Sequence, residues 1–285
     1  MRERGRLARK SCVIFPQSNA DSRRKPPNNS LMTHLPVRMP QSPRRIVSVV
    51  PSQTELLFTL GLDAEVVGLT KFCIHPADRV RTKTVVGGTK TLDLARIDAL
   101  QPDLILANKE ENTRAQIEEL QERYPVHVTD MITLPDALAM IRTVGALVGR
   151  ADAAHALAGQ LARDLVPPVV TALRVAYLIW RRPYMAAASQ TFIDAMLHAA
   201  GFQNAFADRE RYPVLTADEL TAARPDLVFL SSEPYPFASR HRAELAACCP
   251  DARVLLVDGE LFSWYGSRLL HAAPYFYRLH QQLTN

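Results

Sequence analysis

The run Thr133-Leu134-Pro135-Asp136-Ala137-Leu138-Ala139-Met140-Ile141-Arg142-Thr143-Val144-Gly145-Ala146-Leu147-Val148-Gly149 decides how the chain is organised. Thr133 with Asp136 three residues on resembles a capping box, and Pro135 suits a first turn. Leu134, Leu138, Ile141, Val144 and Val148 recur at helical spacing until Gly149, which predicts an amphipathic helix. A second helix is expected from Ala154, Leu157, Ala158, Leu161 and Leu165. Pro167-Pro168 stops it, because proline lacks the amide donor and clashes with the preceding turn. At about 1.5 Å per residue, fifteen or so helical residues make a rod of roughly 20 Å. A rod joining two lobes is a stiff hinge.

Two lobes are read because one order of signals occurs on both sides of that run. Before it, Arg45-Ile46-Val47-Ser48 opens a strand, Gly61 closes a helix, and Pro102-Asp103-Leu104-Ile105-Leu106 leads into another strand. After it, Arg174-Val175-Ala176-Tyr177, Gly201 and Pro225-Asp226-Leu227-Val228-Phe229 repeat the order. The divisions expected are a tail at 1–45, an N-terminal α/β lobe at 46–132, connecting helices at 133–168 and a C-terminal α/β lobe at 169–285. Strands alternating with helices predict parallel sheets covered on both faces, so the fold class is α/β with two similar lobes joined by a long backbone helix. Ligands of such sheets sit outside the carboxyl ends of the strands.

The charge is uneven. Residues 1–45 hold eleven Lys or Arg against Glu3 and Asp21, a balance of +9 in a chain whose net charge is +5, which leaves −4 for the body. The body therefore makes no electrostatic case for nucleic acid. In the tail only Cys12-Val13-Ile14-Phe15 is an apolar run, shorter than the roughly 7–15 residues of a signal-peptide core, so no export signal is read there. Met32 and Met39 are alternative starts to Met1. No stretch approaches the roughly 20 apolar residues that span a bilayer. Cys12, Cys73 and the adjacent Cys248-Cys249 form no CxxC pair, and reduced thiols are expected.

The strand-end loops of the second half carry the chemistry. They read Trp180-Arg181-Arg182-Pro183-Tyr184, Ser231-Ser232-Glu233-Pro234-Tyr235-Pro236-Phe237 and Asp258-Gly259-Glu260-Leu261-Phe262-Ser263-Trp264-Tyr265-Gly266-Ser267-Arg268. They hold seven of the chain's twenty aromatic residues, a surface suited to a large, flat, partly polar ligand, although rings there also serve loop packing. Three rings each covering about 100 Å² supply about 7 kcal/mol, against an association cost of about 4–15 kcal/mol. Polar groups must therefore help, with Arg181, Arg182, Glu233, Glu260 and Arg268 as candidates. In the first half, Cys73, His75 and Glu110 are the types that ligate zinc or iron, and one Cys-x-His pair needs further ligands from elsewhere in space.

The pattern Arg45-Ile46-Val47-Ser48-Val49-Val50-Pro51-Ser52-Gln53-Thr54-Glu55, then Gly61, Gly68, Leu92-Asp93-Leu94-Ala95-Arg96-Ile97 and Pro102-Asp103-Leu104-Ile105, resembles the helical-backbone solute-binding proteins. These are the cobalamin and iron-siderophore receptors of ABC importers, and the resemblance covers residues 45–280. It implies a non-enzymatic monomer, periplasmic or on the cell surface, that pinches a corrinoid, siderophore or haem-like metal complex between its lobes and delivers it to an importer's membrane subunit. It requires no cofactor of its own. The ligand-binding residues implied or read from the loops are Phe72, Trp180, Arg181, Tyr184, Glu233, Tyr235, Phe262, Trp264, Tyr265 and Arg268. Thr89 stands where cobalamin receptors carry a tryptophan. Of the two helix-start glutamates with which the family docks on its transporter, the first falls on Ala95, a departure, and the second on Asp218 with Glu219 beside it. The alternative is a cytoplasmic enzyme or metallochaperone that handles a metal or tetrapyrrole through Cys73, His75 and Glu110.

Overall fold

The computed structural model describes residues 42–284. The basic tail lies outside them up to residue 41, as do Met1, Met32 and Met39. The first half runs β1 (Ile46–Ser48), α1 (Pro51–Thr59), β2 (Val66–Leu69), α2 (Ala77–Val80), β3 (Thr84–Val85), β4 (Gly87–Gly88), β5 (Thr91–Leu92), α3 (Leu94–Leu100), β6 (Leu104–Asn108), α4 (Arg114–Gln121) and β7 (Val126–Thr129). Strands β3-β2-β1-β6-β7 form one sheet in which every pairing is parallel. Along it side chains alternate between two cores, as a pleated strand requires. Ile46, Leu104 and Leu106 join one, while Val47, Ile105 and Ala107 join the other with Ile97, Ile117 and Leu120 from α3 and α4. Gly87-Gly88-Thr89-Lys90 opens the tight β4–β5 hairpin. Gly87 sits there at φ +105, where a Cβ would lie 2.4 Å from the Thr91 carbonyl oxygen, so only glycine closes the turn.

The connecting segment begins as its sequence demands. α5 (Leu134–Leu147) opens with Thr133 accepting from the Asp136 amide at 3.2 Å while Asp136 accepts from the Thr133 amide at 2.8 Å. After Gly149, at φ +69, α6 (Ala151–Asp164) turns back and packs on α5. The connector is thus a helical hairpin rather than one straight rod. The helices touch at Gly145, where a Cβ would come 2.1 Å from the Cβ of Ala154. Alanine at 145 gains about 1 kcal/mol of helix propensity but overpacks the crossing by about 1–3 kcal/mol. A net loss of about 1 kcal/mol is expected for Gly145→Ala in urea unfolding, recovered in the double variant with Ala154→Gly; a stabilised single variant would mean that the helices do not meet there.

The second half runs β8 (Arg174–Trp180), β9 (Tyr184–Ala186), α7 (Phe192–Ala199), β10 (Gln203–Asn204), β11 (Val214–Leu215), α8 (Ala217–Ala222), β12 (Leu227–Ser231), a 3-10 turn at Ser239–His241, α9 (Arg242–Cys248), β13 (Arg253–Val257), α10 (Glu260–Ser263), a 3-10 turn at Ser267–His271 and α11 (Ala272–Thr284). Its sheet order is β11-β9-β8-β12-β13, with β10 also beside β8. Strands β10, β8, β12 and β13 are parallel, but β9 folds back on β8 and pairs antiparallel to it and to β11. The aromatic loop after β8 is therefore the bend of a hairpin that widens the sheet. Val175, Tyr177 and Ile179 on β8 and Phe229 on β12 enter the same core as Ile46, Leu104, α5 and α6, so one apolar body runs through both halves and the connector.

Candidate ligand site between the lobes

The carboxyl ends of β1, β6, β12 and β13 bring their loops together. After β6, Asn108 and Asn112 shape the backbone: the Asn108 side-chain oxygen accepts from the Glu110 and Glu111 amides at 2.9 and 3.0 Å. Asn112 accepts from the Asn108 amide at 2.7 Å and donates to the Val49 and Thr89 carbonyls at 3.1 Å. Thr113 is the N-cap of the next helix, so these asparagines hold the loop rather than cap α4. Glu110 and Glu111 thereby face the second lobe. Arg211 donates to Glu110, Tyr212 Oη donates to it at 3.2 Å, and Tyr265 Oη donates to Glu111 at 2.7 Å. Farther along, His75 Nε2 lies 3.0 Å from Glu260, and Arg268 grips Glu55 of α1 at 2.7 and 2.9 Å while standing 3.7 Å from Glu260.

Two cavities of about 30 Å³ each lie between these links. Ser52, Glu111, Ile193, Glu233, Ser263 and Trp264 line the first. Asn108, Glu110, Glu111, Phe192, Tyr212 and Tyr265 line the second, which makes Glu111 their shared wall. The Glu233 carboxylate accepts from Ser263 Oγ at 2.8 Å and from Trp264 Nε1 at 2.9 Å. Burial pushes its pKa up to about 7, and the neighbouring Glu260 and Glu111 charges push the same way, whereas the Ser263 and Trp264 hydrogen bonds pull it down. Trp264 is fixed between His75, edge-on at 5.6 Å, and the Arg268 guanidinium at 5.4 Å.

Of the residues expected to bind ligand, Glu233, Trp264 and Tyr265 line the cavities, and Arg268 stands behind Trp264 in the link to Glu55. The others are placed elsewhere. Phe262 has no exposed surface and packs against Tyr177 and Phe276 in the core. Arg181 clasps Glu244 with both Nε and Nη2, and Tyr184 donates to the same carboxylate, so both tie the β8–β9 hairpin to α9. Trp180 and Tyr235 stack edge to face at 5.6 Å, with Phe237 against Tyr235. Phe72 rests on the Gly88 hairpin under the Lys71 ammonium.

Cys73, His75 and Glu110 do not converge. Cys73 is buried against Thr54 and Thr70, its thiol pushed up to about 11 by burial, while His75 faces Glu260 and Glu110 faces Arg211. Among the described residues no three His, Cys, Asp or Glu side chains are placed to share a metal ion. A thiol shielded from water stays protonated and is a poor ligand or nucleophile, which removes the metal set read from the sequence. What sequence reading missed is Ser52, Glu55, Tyr212 and Ser263. Ser52 and Glu55 sit in the conspicuous Pro51-to-Glu55 stretch, but nothing local says that they face another lobe.

The two helix starts expected to dock occupy the same position within their helices. Asp218 is the second residue of α8 and Ala95 the second of α3, both exposed. Glu219 completes a capping box with Thr216 and pairs with Arg209 at 2.9 Å, so its carboxylate is engaged within the lobe.

Comparison with known proteins agrees with this architecture. The family described as periplasmic binding protein matches residues 46–246. A vitamin B12-binding protein of Pectobacterium carotovorum is 25% identical over 243 residues, 81% of this chain and 86% of that protein. An uncharacterized ABC transporter substrate-binding lipoprotein of Bacillus subtilis, YvrC, is 25% identical over 252 residues, 82% of this chain and 79% of that one. Among solved structures, the periplasmic heme-binding protein BhuT with two hemes superposes with a TM-score of 0.73 at 26% identity, covering 85% of this chain and 98% of that one. The periplasmic vitamin B12 binding protein BtuF of Vibrio cholerae gives 0.70 at 22% identity, over 85% and 100%, a likeness of fold. With most of its two-lobed body inside that match, the chain belongs to the periplasmic binding protein family.

Proposed function

We propose that this chain is the substrate-binding protein of an ABC importer, exported to the periplasm or cell surface, and that it holds a metal complex of the corrinoid, siderophore or haem kind between its lobes. The observation that carries the reading is the pair of cavities walled by strand-end loops of both lobes, with Trp264 and Tyr265 beside Glu111 and Glu233. Its relatives' names support the ligand class, since the Pectobacterium protein is a vitamin B12-binding protein and BhuT was solved with hemes. Asp218 is then the docking charge toward the membrane subunit, with Ala95 offering none on the first lobe. No described helix is long and apolar enough to cross a membrane.

Room decides how such a ligand enters. Pockets for molecules of this size measure about 300–1,000 Å³, and each cavity here is about 30 Å³. Loading therefore parts the lobes and breaks links such as Glu111 with Tyr265, more motion than a rigid rod allows and suited to a helical hairpin. Tryptophan fluorescence of the full chain titrated with cyanocobalamin, with equilibrium dialysis as the check on light absorbed by the ligand, should give a saturable quench through Trp264. Absence of binding by cyanocobalamin, siderophore and haemin alike would sink the proposal.

A further inference from the structure

The buried apolar residues hold the two lobes together on one side only. Leu56 and Leu57 of α1, the inner faces of α5 and α6, and Tyr177, Phe262 and Phe276 of the second lobe all join one shared cluster. The opposite face of each sheet has a core of its own. In the first lobe Ile97, Ile105, Ile117 and Leu120 pack under α3 and α4, and in the second Phe206, Leu215, Leu220 and Leu245 pack under α8 and α9. Parting the lobes on the shared side would bring apolar area into water, whereas parting them on the α4 and α8 side leaves both of those cores whole.

The ion pairs between the lobes sort the same way. Arg268 and Glu55 tie the 3-10 turn Ser267–His271 to α1, and that turn also packs on α6 and α11. Breaking this pair would strand two buried charges. Arg211 and Glu110 instead join the loop ahead of α4 to the loop that leads toward α8. The Arg211 side chain is 41% exposed, so water can take over its charge when the pair opens. Tyr212, which also donates to Glu110, marks the inner edge of this contact at the second cavity.

The fold holds Arg211 in place at some cost. Its φ is +62, a region that residues other than glycine seldom occupy. The Arg211 amide donates to the Ser189 carbonyl at 2.8 Å, its carbonyl accepts from the Ala188 amide at 2.8 Å, and its guanidinium donates to the Gln190 carbonyl at 2.9 Å. Strained positions persist where their surroundings over-determine them, and they gather at clamps and switch regions.

We infer that Arg211 and Glu110 are the latch of a gate: the lobes open on the α4 and α8 side, pivoting on the Arg268–Glu55 seam and the shared core. This goes beyond the receptor reading, because it assigns the side and the residues of opening whatever the ligand is. Salt weakens the exposed latch and leaves the buried pivot intact.

Pulsed electron resonance between spin labels on the full, ligand-free chain tests it, with Cys12→Ser and Cys248→Ser as background and Cys73 and Cys249 buried. Labels at Gln121→Cys on α4 and Ala222→Cys on α8 report the gate, and labels at Thr59→Cys on α1 and Arg278→Cys on α11 report the pivot; all four positions are exposed. Arg211→Glu, checked for folding by circular dichroism, replaces an attraction with a repulsion and should raise the long-distance population at the gate about tenfold, with the pivot distances unchanged. Adding Glu110→Arg to it should restore the parent distribution, which a merely structural role for Arg211 would not. Sodium chloride at about 1 M should act on the parent in the same direction, about threefold, and needs no variant to fold. Gate and pivot lengthening together, a gate unmoved by both Arg211→Glu and salt, or no recovery in the charge swap overturns the inference. No ligand takes part, so the receptor reading stands or falls separately.

Discussion

Replacing Arg268 with alanine should destabilise the protein by about 3–5 kcal/mol, the usual consequence of stranding one partner of a buried ion pair. Arg268 and Glu55 are each less than a sixth exposed, at 13% and 12%, and two of the arginine's nitrogens contact the carboxylate. The guanidinium also lies over Trp264 and near Glu260, so alanine takes the ion-pair partner from Glu55 and the lid from the indole. The side chain reaches from the second lobe to α1 of the first, which makes the loss one of lobe-to-lobe contact as well. Urea unfolding measures it. Glu55→Gln with Arg268→Met should recover most of the loss, because both buried charges are then gone; a single Arg268→Ala within 1 kcal/mol of the parent would mean that the pair is solvated and the lobes already part.

Glu233→Gln should change the pH dependence of stability rather than stability at one pH. The carboxyl has its pKa raised from 4.5 to about 7 by burial, so between those values the folded protein binds a proton that the unfolded chain has released. Stability from this group is complete below pH about 4.5, declines as pH rises, and is lost once pH passes about 7. The shift corresponds to about 3 kcal/mol. Subtracting the Glu233→Gln curve from the parent's, with urea unfolding at pH 4.5 and 8, should show the parent losing about that much relative to the variant. A constant difference would place the group in water. The same proton sits on a wall of the first cavity, so ligand affinity should share this pH window.

How the aromatic loops were resolved shows what local reading reaches. The enrichment of rings after β8, β12 and β13 was visible, yet the loops use them differently: Phe262 seals the core, Trp180 and Tyr235 stack on each other, and only Trp264 and Tyr265 reach the cavities. Burying any of these rings removes much the same apolar area from water, so sequence cannot rank a core site above a cleft site. Arg181 and Tyr184 were misplaced for a related reason. Their partner is Glu244, sixty or more residues away on α9, and the hairpin of β8 and β9 sets both against that helix. That hairpin was itself hidden, since β9 has only three residues to set against the parallel alternation around it.

What sequence alone determined is what neighbours a few residues apart determine. The Thr133–Asp136 cap, the apolar faces of α5 and α6, the buried alternation of β1, β6, β8 and β12, and the repeated order of two α/β lobes all rest on spacings of two to four residues. Tertiary structure decided the packing of α5 on α6 at Gly145 and Ala154, the separation of Cys73 from His75 and Glu110, and the acidic character of the cleft. Glu111 meets Tyr265 across 154 residues and Arg268 meets Glu55 across 213. Such pairs are chosen by where two sheets present their strand ends, a relation no local spacing encodes.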